Sequence, residues 1–147
     1  MSIFDSFSIN ASGLTAERYR MDVISENIAN IDTTRTEDGT PYRRKLVTFE
    51  EKGKNGTFAS ALAKAKGDYI GGSVRVGKTY EDTETEMKMV YDPSHPDADE
   101  NGYVTYPNVN VITEMTDLID ASRSYEANAT AFSASKSMAV KGLEMAQ

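Results

Sequence analysis

The chain has 147 residues, with 16 Lys and Arg against 23 Asp and Glu, a formal net charge of −7, and neither Cys nor Trp. An acidic chain suits neither the phosphates of a nucleic acid nor an anionic membrane surface, and without Cys it has no disulfide, Zn–thiolate site or thiol nucleophile. Hydrophobic residues make up 39% of the chain, a low share for a large compact core, and no apolar run approaches the roughly 18–20 residues that span a bilayer.

The N-terminus meets Asp5 before any apolar stretch forms and has no basic segment ahead of it, so no cleavable secretory signal is expected. Phe7, Leu14, Met21 and Ile28 then recur at every seventh position, with Ile24 and Ile31 three residues after Met21 and Ile28. This spacing predicts a helix over residues 7–31 that buries a narrow stripe against other helices. Asn10 and Glu17 interrupt the stripe and Gly13 weakens the helix, while Asp32, Thr33 and Thr34 end it.

Residues 36–108 read differently. Eight of the ten glycines fall there, separated by short alternating runs that predict strands at 42–50, 73–80, 86–91 and 103–106. Residues 57–66 are ambiguous, since Phe58, Leu62 and several alanines suit a short helix. Beyond Pro107 the heptad returns in Val111, Leu118, Tyr125, Phe132, Ala139 and Ala146, with a second row in Met115, Ser122, Ala129 and Leu143 that Lys136 breaks. Asn110 is a suitable N-cap. A helix over residues 111–146 would be about 54 Å long, more stripe than the N-terminal helix can cover, so it needs other chains. The expected fold class is α+β. It comprises an N-terminal assembly helix (1–35), a small β-rich insert (36–108) and a C-terminal assembly helix (109–147) that packs with the first in a coiled-coil-like domain. The assembly interface is expected at Leu14, Met21, Ile28, Val111, Leu118, Tyr125, Phe132 and Ala139, with Arg18, Arg20, Asp120 and Arg123 setting register.

The strongest ligand-like pattern is Asp97, Asp99, Asn101 and Gly102, which matches the first half of an EF-hand calcium loop. Position twelve is Asn108 instead of the bidentate Glu, Pro107 precedes it, and Pro93 and Pro96 prevent an entering helix. His95, the sole histidine, has no nucleophile spacing around it, and the glycines at 67, 71, 72 and 77 open no phosphate-binding motif. The basic run Tyr42-Arg43-Arg44-Lys45 reads as a solvated or inter-subunit face in so acidic a chain. No catalytic, cofactor-binding or metal residue is assigned and no cofactor is expected. Two alternatives stand beside the structural reading: a calcium-responsive coiled-coil adaptor that switches through residues 97–101, and a hydrolase using His95.

Two N-terminal runs carry a resemblance: Ser12-Gly-Leu-Thr-Ala-Glu-Arg18, then Asp22-Val-Ile-Ser-Glu-Asn-Ile-Ala-Asn-Ile-Asp-Thr-Thr-Arg-Thr36. They resemble the signature of the flagellar axial (rod and hook) family. Gly39-Thr-Pro-Tyr-Arg-Arg-Lys45, Tyr91-Asp-Pro-Ser-His-Pro-Asp-Ala-Asp99, Gly102-Tyr-Val-Thr-Tyr-Pro-Asn-Val-Asn-Val111 and Ala121-Ser-Arg-Ser-Tyr-Glu-Ala-Asn128 are similar to its proximal-rod members. Residues 51–90 carry little of the likeness. The resemblance implies a non-enzymatic subunit of the bacterial basal-body rod, located in the periplasmic space and exported by the flagellar type III system. Its partners would be other rod proteins, copies of itself and the basal-body rings or export apparatus, with no nucleic acid and no direct membrane insertion. Asn27, Asn30, Asp32, Thr33 and Thr34 are expected to shape the turn that leaves the first helix.

Overall fold

The computed structural model describes residues 3–52, 62, 65 and 72–145. Its elements run α1 (Ile3–Ala29), β1 (Lys45–Lys52), β2 (Ser73–Glu81), β3 (Lys88–Tyr91), β4 (Tyr103–Tyr106) and α2 (Val111–Glu144). Two terminal helices thus enclose a small β-rich region, an α+β arrangement, with β1 paired to β2 and β3 to β4 in separate two-stranded sheets. The strands begin or end within three residues of the glycine-punctuated runs. The ambiguous segment 57–66 lies outside the described residues except at 62 and 65.

The chain divides into two compact units: one of Met1–Tyr19, Thr48–Gly77 and Ala121–Gln147, the other of Arg20–Val47 and Lys78–Asp120. In the first unit α1 and α2 meet through an edge-to-face pair, Phe7 on Phe132, with ring centroids 5.1 Å apart. Such a pair adds about 0.5–1.5 kcal/mol beyond the burial of its surface. Nearly two turns after Phe7, Gly13 has a packing reason for being there. A Cβ at this position would stand 3.0 Å from the side-chain amide of Asn128, so the glycine lets the helices approach where a larger residue would hold them apart. Strand β2 joins α1 through the Val74 amide, which donates to Ser12 Oγ at 3.0 Å.

In the second unit α2 begins at a formed cap: Asn110 Oδ1 accepts from the amide of Ile112 at 3.0 Å, supplying one of the partners that a helix N-terminus lacks. The β3–β4 ladder is antiparallel, pairing Lys88 with Tyr106, Met89 with Thr105, Val90 with Val104 and Tyr91 with Tyr103. Side chains alternate across it. Val104 faces inward and is buried, while Met89, Tyr91 and Tyr103 face solvent. Gly102 closes the connection into β4 at φ +81°, a left-handed conformation that favours glycine.

Candidate functional site

The densest side-chain network lies in the second unit and joins the end of α1, the start of β1 and the first turn of α2. Asn27 and Glu114 are each 1% exposed. The amide nitrogen of Asn27 donates to Glu114 Oε2 at 3.0 Å and to the Lys45 carbonyl at 2.9 Å. Its oxygen accepts from the Lys45 amide at 2.9 Å and from the Tyr42 hydroxyl at 2.9 Å. One residue on a helix thereby takes both hydrogen-bonding groups of an incoming strand residue, which fixes where the β-rich segment leaves α1. Arg44 reaches α2 with Nε 2.6 Å from Glu114 Oε1 and Nη2 3.2 Å from Asp117 Oδ2. Lys45 pairs with Glu26.

Asn108 continues the network. Its Oδ1 accepts from the Arg44 amide at 2.9 Å, and its Nδ2 donates to the carbonyls of Asp82 at 2.9 Å and Thr85 at 3.2 Å. Burial is the main cause that pushes the Tyr42 phenol up to about 12, assisted by the carboxylates of Glu26, Glu114 and Glu81. The Asp82 carboxyl is held below its ordinary value chiefly by the backbone and hydroxyl of Thr85, helped by the Glu84 amide and the Arg44 charge. An ion pair of this kind adds little net stability, because desolvation offsets much of the attraction, whereas removing one partner alone is costly.

The heptad residues take the following places. On α1, Leu14, Met21 and Ile28 are half-buried, whereas Ala16, Val23, Ile24 and Asn27 are fully buried. On α2, Leu118, Tyr125, Phe132 and Ala139 are half-buried and Val111 is exposed. The row that accompanies them inward is Glu114, Ala121, Asn128 and Ser135, four residues ahead of each. Of the expected second row, Met115 and Leu143 are exposed, and Ser122 and Ala129 are half-buried. Asn128 and the buried Ala121 suit the close helix approach at Gly13, whereas Glu114 is buried against Asn27 and Arg44.

The turn residues separate in the same way. Asn30 Nδ2 donates to the Glu26 carbonyl at 2.9 Å and Thr33 Oγ1 to Asn30 Oδ1 at 3.2 Å, so these two act locally. Asp32 is exposed. Asn27 stands inside α1 and not in the turn, since its partners come from β1 and α2. Thr34 donates to Asp97 Oδ2 at 2.8 Å.

That last bond bears on the EF-hand-like loop, whose oxygens are turned onto the protein's own donors. Asp97 holds Thr34 and lies 3.7 Å from Arg35, and Asp99 Oδ1 accepts from the amides of Asn101 and Tyr103, each at 2.8 Å. His95 is similarly occupied: Nδ1 accepts from the Asp97 amide at 3.1 Å and the ring meets Tyr106 edge-on at 6.4 Å. The parts of the hub missed in sequence were Arg44, read with its neighbours as a solvated or inter-subunit face, and Glu114, Asn108 and Asp82. The side-chain partners of Arg44, Glu114 and Asn108 lie 23 to 87 residues away, so no local spacing marks them.

Two family models match the ends of the chain: the flagella basal body rod protein model over residues 7–35 and the C-terminal model of flagellar basal body rod FlgEFG proteins over residues 100–145. Over its whole length the chain is similar to flagellar basal-body rod proteins FlgC. It is 46% identical to that of Bacillus subtilis, with 99% of both chains covered, and 45% identical to that of Borreliella burgdorferi, with 100% and 99% covered. It is 40% identical to that of Salmonella typhimurium, with both chains fully covered. With such identity sustained from end to end, the chain belongs to the FlgC family of flagellar basal-body rod proteins.

Proposed function

We propose that this chain is a structural subunit of the flagellar basal-body rod, one that polymerises with itself and with other rod proteins and carries out no catalysis. The observation that carries the reading is how little the two helices satisfy each other. Helices of 27 and 34 residues leave Ile112, Met115, Ile119, Met138 and Leu143 in solvent. A single chain seldom leaves so many large apolar groups uncovered along one helix unless a partner covers them.

In this reading residues 1–35 and 109–147 are the assembly segments and residues 36–108 an insert that the Asn27–Arg44–Glu114 network holds at a fixed exit. Leu14, Met21, Ile28, Leu118, Tyr125, Phe132 and Ala139 supply the packing, with Val111 at its margin. The subunit leaves the cytoplasm through the flagellar type III apparatus, takes its place in the periplasmic part of the rod, and meets the rings and export apparatus there. Deleting the gene tests the first claim: the strain should be non-motile and without complete rods, and intact rods would refute it. Complementation with Phe132→Asp tests the second. A charge beside Phe7 has no partner within the seam, so the variant should be exported yet absent from rods, and normal incorporation would show that the stripe is not an interface.

A further inference from the structure

The second unit carries an uncovered apolar ridge and an open groove whose lining is part apolar and part polar. The ridge is Ile112, Met115 and Ile119 on α2, exposed by 78%, 53% and 53%. Their i, i+3, i+7 spacing puts them on one helix face, the form in which a helix enters a hydrophobic groove, over a length of about 10 Å. The groove has a volume of about 320 Å³ and is walled by Ile31, Val90, Tyr106, Pro107 and Val109, with Asp32 and Lys88 at its rim.

The charges correspond as well. The ridge is bracketed by the positive end of the α2 dipole before Ile112 and by Asp120 directly after Ile119. The groove offers Asp32 for the first and Lys88 for the second. None of Asp32, Lys88 and Asp120 has an ion-pair partner among the described residues. A chain cannot fill its own groove, because Val109 in the groove wall is only three residues from Ile112 on the ridge.

We propose that the ridge of one copy seats in the groove of a second copy, Asp120 facing Lys88. This contact rests on the assembly reading above and deepens it by naming the two surfaces. It is heterologous, so a bound pair still presents one free ridge and one free groove, and the contact propagates instead of closing on itself. Three apolar side chains make a small interface, well under the roughly 1,200–2,000 Å² of stable pairs. A lone pair of copies is therefore held weakly, and repetition along a polymer supplies the rest.

The absence of native cysteine makes disulfide trapping the direct test. Met115→Cys and Val90→Cys proteins are mixed in equal amounts and oxidised with diamide, beside each variant alone and beside Met115→Cys mixed with Thr83→Cys at an exposed position away from the groove. The mixture should give roughly tenfold more dimer than any control, and the double variant should give a ladder of open oligomers. Lys88→Glu in the Val90→Cys protein should lower trapping by about twofold to fivefold and Asp120→Lys in the Met115→Cys protein should restore it. If Val90→Cys unfolds the sheet, Lys88→Cys at the rim replaces it. Equal dimer from Met115→Cys alone would mean that the ridge packs on itself, and a yield no higher than the Thr83→Cys control would mean that ridge and groove do not meet; either overturns the proposal. A Met115→Asp strain with normal rods would also overturn it while leaving the assembly reading intact.

Discussion

The buried carboxylate of Glu114 is the most informative side chain to remove. Glu114→Ala leaves Arg44 without its 2.6 Å partner and strips one acceptor from the buried amide of Asn27. Removing one member of a buried ion pair costs about 3–5 kcal/mol. Two features put this case at the lower end: Arg44 retains 20% of its exposure and a second carboxylate, Asp117, at 3.2 Å, and Asn27 keeps the Lys45 carbonyl. The expected loss is about 3 kcal/mol, a large part of the roughly 5–15 kcal/mol that holds a typical domain. Urea unfolding followed by far-UV circular dichroism reads it directly, because a slope near 2 kcal/mol per molar turns that loss into a midpoint shift of about 1.5 M. The cycle with Arg44→Met separates pairing from simple truncation. The double variant should be more stable than the sum of the single losses implies, by about 1–3 kcal/mol. A midpoint shift below about 0.3 M, or single losses that simply add, would refute the view that this network fixes the exit of the insert.

Tyr42→Phe removes the hydroxyl that donates to Asn27, at an expected cost of about 1 kcal/mol at neutral pH. The folded phenol titrates above its ordinary value of 10.0, near 12, so its contribution is complete below pH 10 and lost as pH rises toward 12; stability curves of the two proteins should converge there, and parallel curves would contradict the assignment. For Asp82 the sign reverses: with a carboxyl held below 3.8, its contribution is present above that pH and disappears as the solution is acidified past the lower folded value. Asp82→Asn should therefore flatten the acid limb of the stability profile measured by urea titration, and an unchanged limb would count against it. Gly13→Ala alone brings a methyl group to within 3.0 Å of Asn128, whereas the same change in an Asn128→Ala background should stabilise the helix by about 0.5–1 kcal/mol in the same melts; a gain in the single variant equal to that in the double would show that the helices do not approach closely.

The sequence made some levels of this fold readable and concealed others for physical reasons. Glycine punctuation located the strands because a two-stranded ribbon must turn often, and Asn110 announced the start of α2 because a cap needs a short acceptor at that place. The heptad spacing disclosed two helices with narrow stripes but not the phase of the inner row. An inner row of Glu114, Ala121, Asn128 and Ser135 looks like an outer one, since polarity and small size are what solvent-facing positions also show. Glu114 stands in the first turn of α2, where an acid favours the helix dipole, a position that says nothing of Arg44. Arg44 was read with its neighbours as a basic surface run, although alternate residues of an extended segment point to opposite sides.

The phase of the inner row has a mechanical consequence. A seam of Gly13 against Asn128, with Ala16 and Ala121 buried beside it, allows close approach but removes little apolar area. At about 25 cal/mol per Å² an alanine contributes far less than the leucine or isoleucine of a self-sufficient coiled coil. The large apolar residues that would have filled such a seam instead face outward at Ile112, Met115 and Ile119 in one unit and at Met138 and Leu143 in the other. Polar networks such as Asn27–Arg44–Glu114 then settle register, because they tolerate few alternative partners. A subunit built this way has its specificity inside and much of its adhesive surface outside. That division suits a component whose helices reach full stability only among neighbours, and it explains why the inner row and the outer ridge interchange the polarity expected of a helix pair that folds alone.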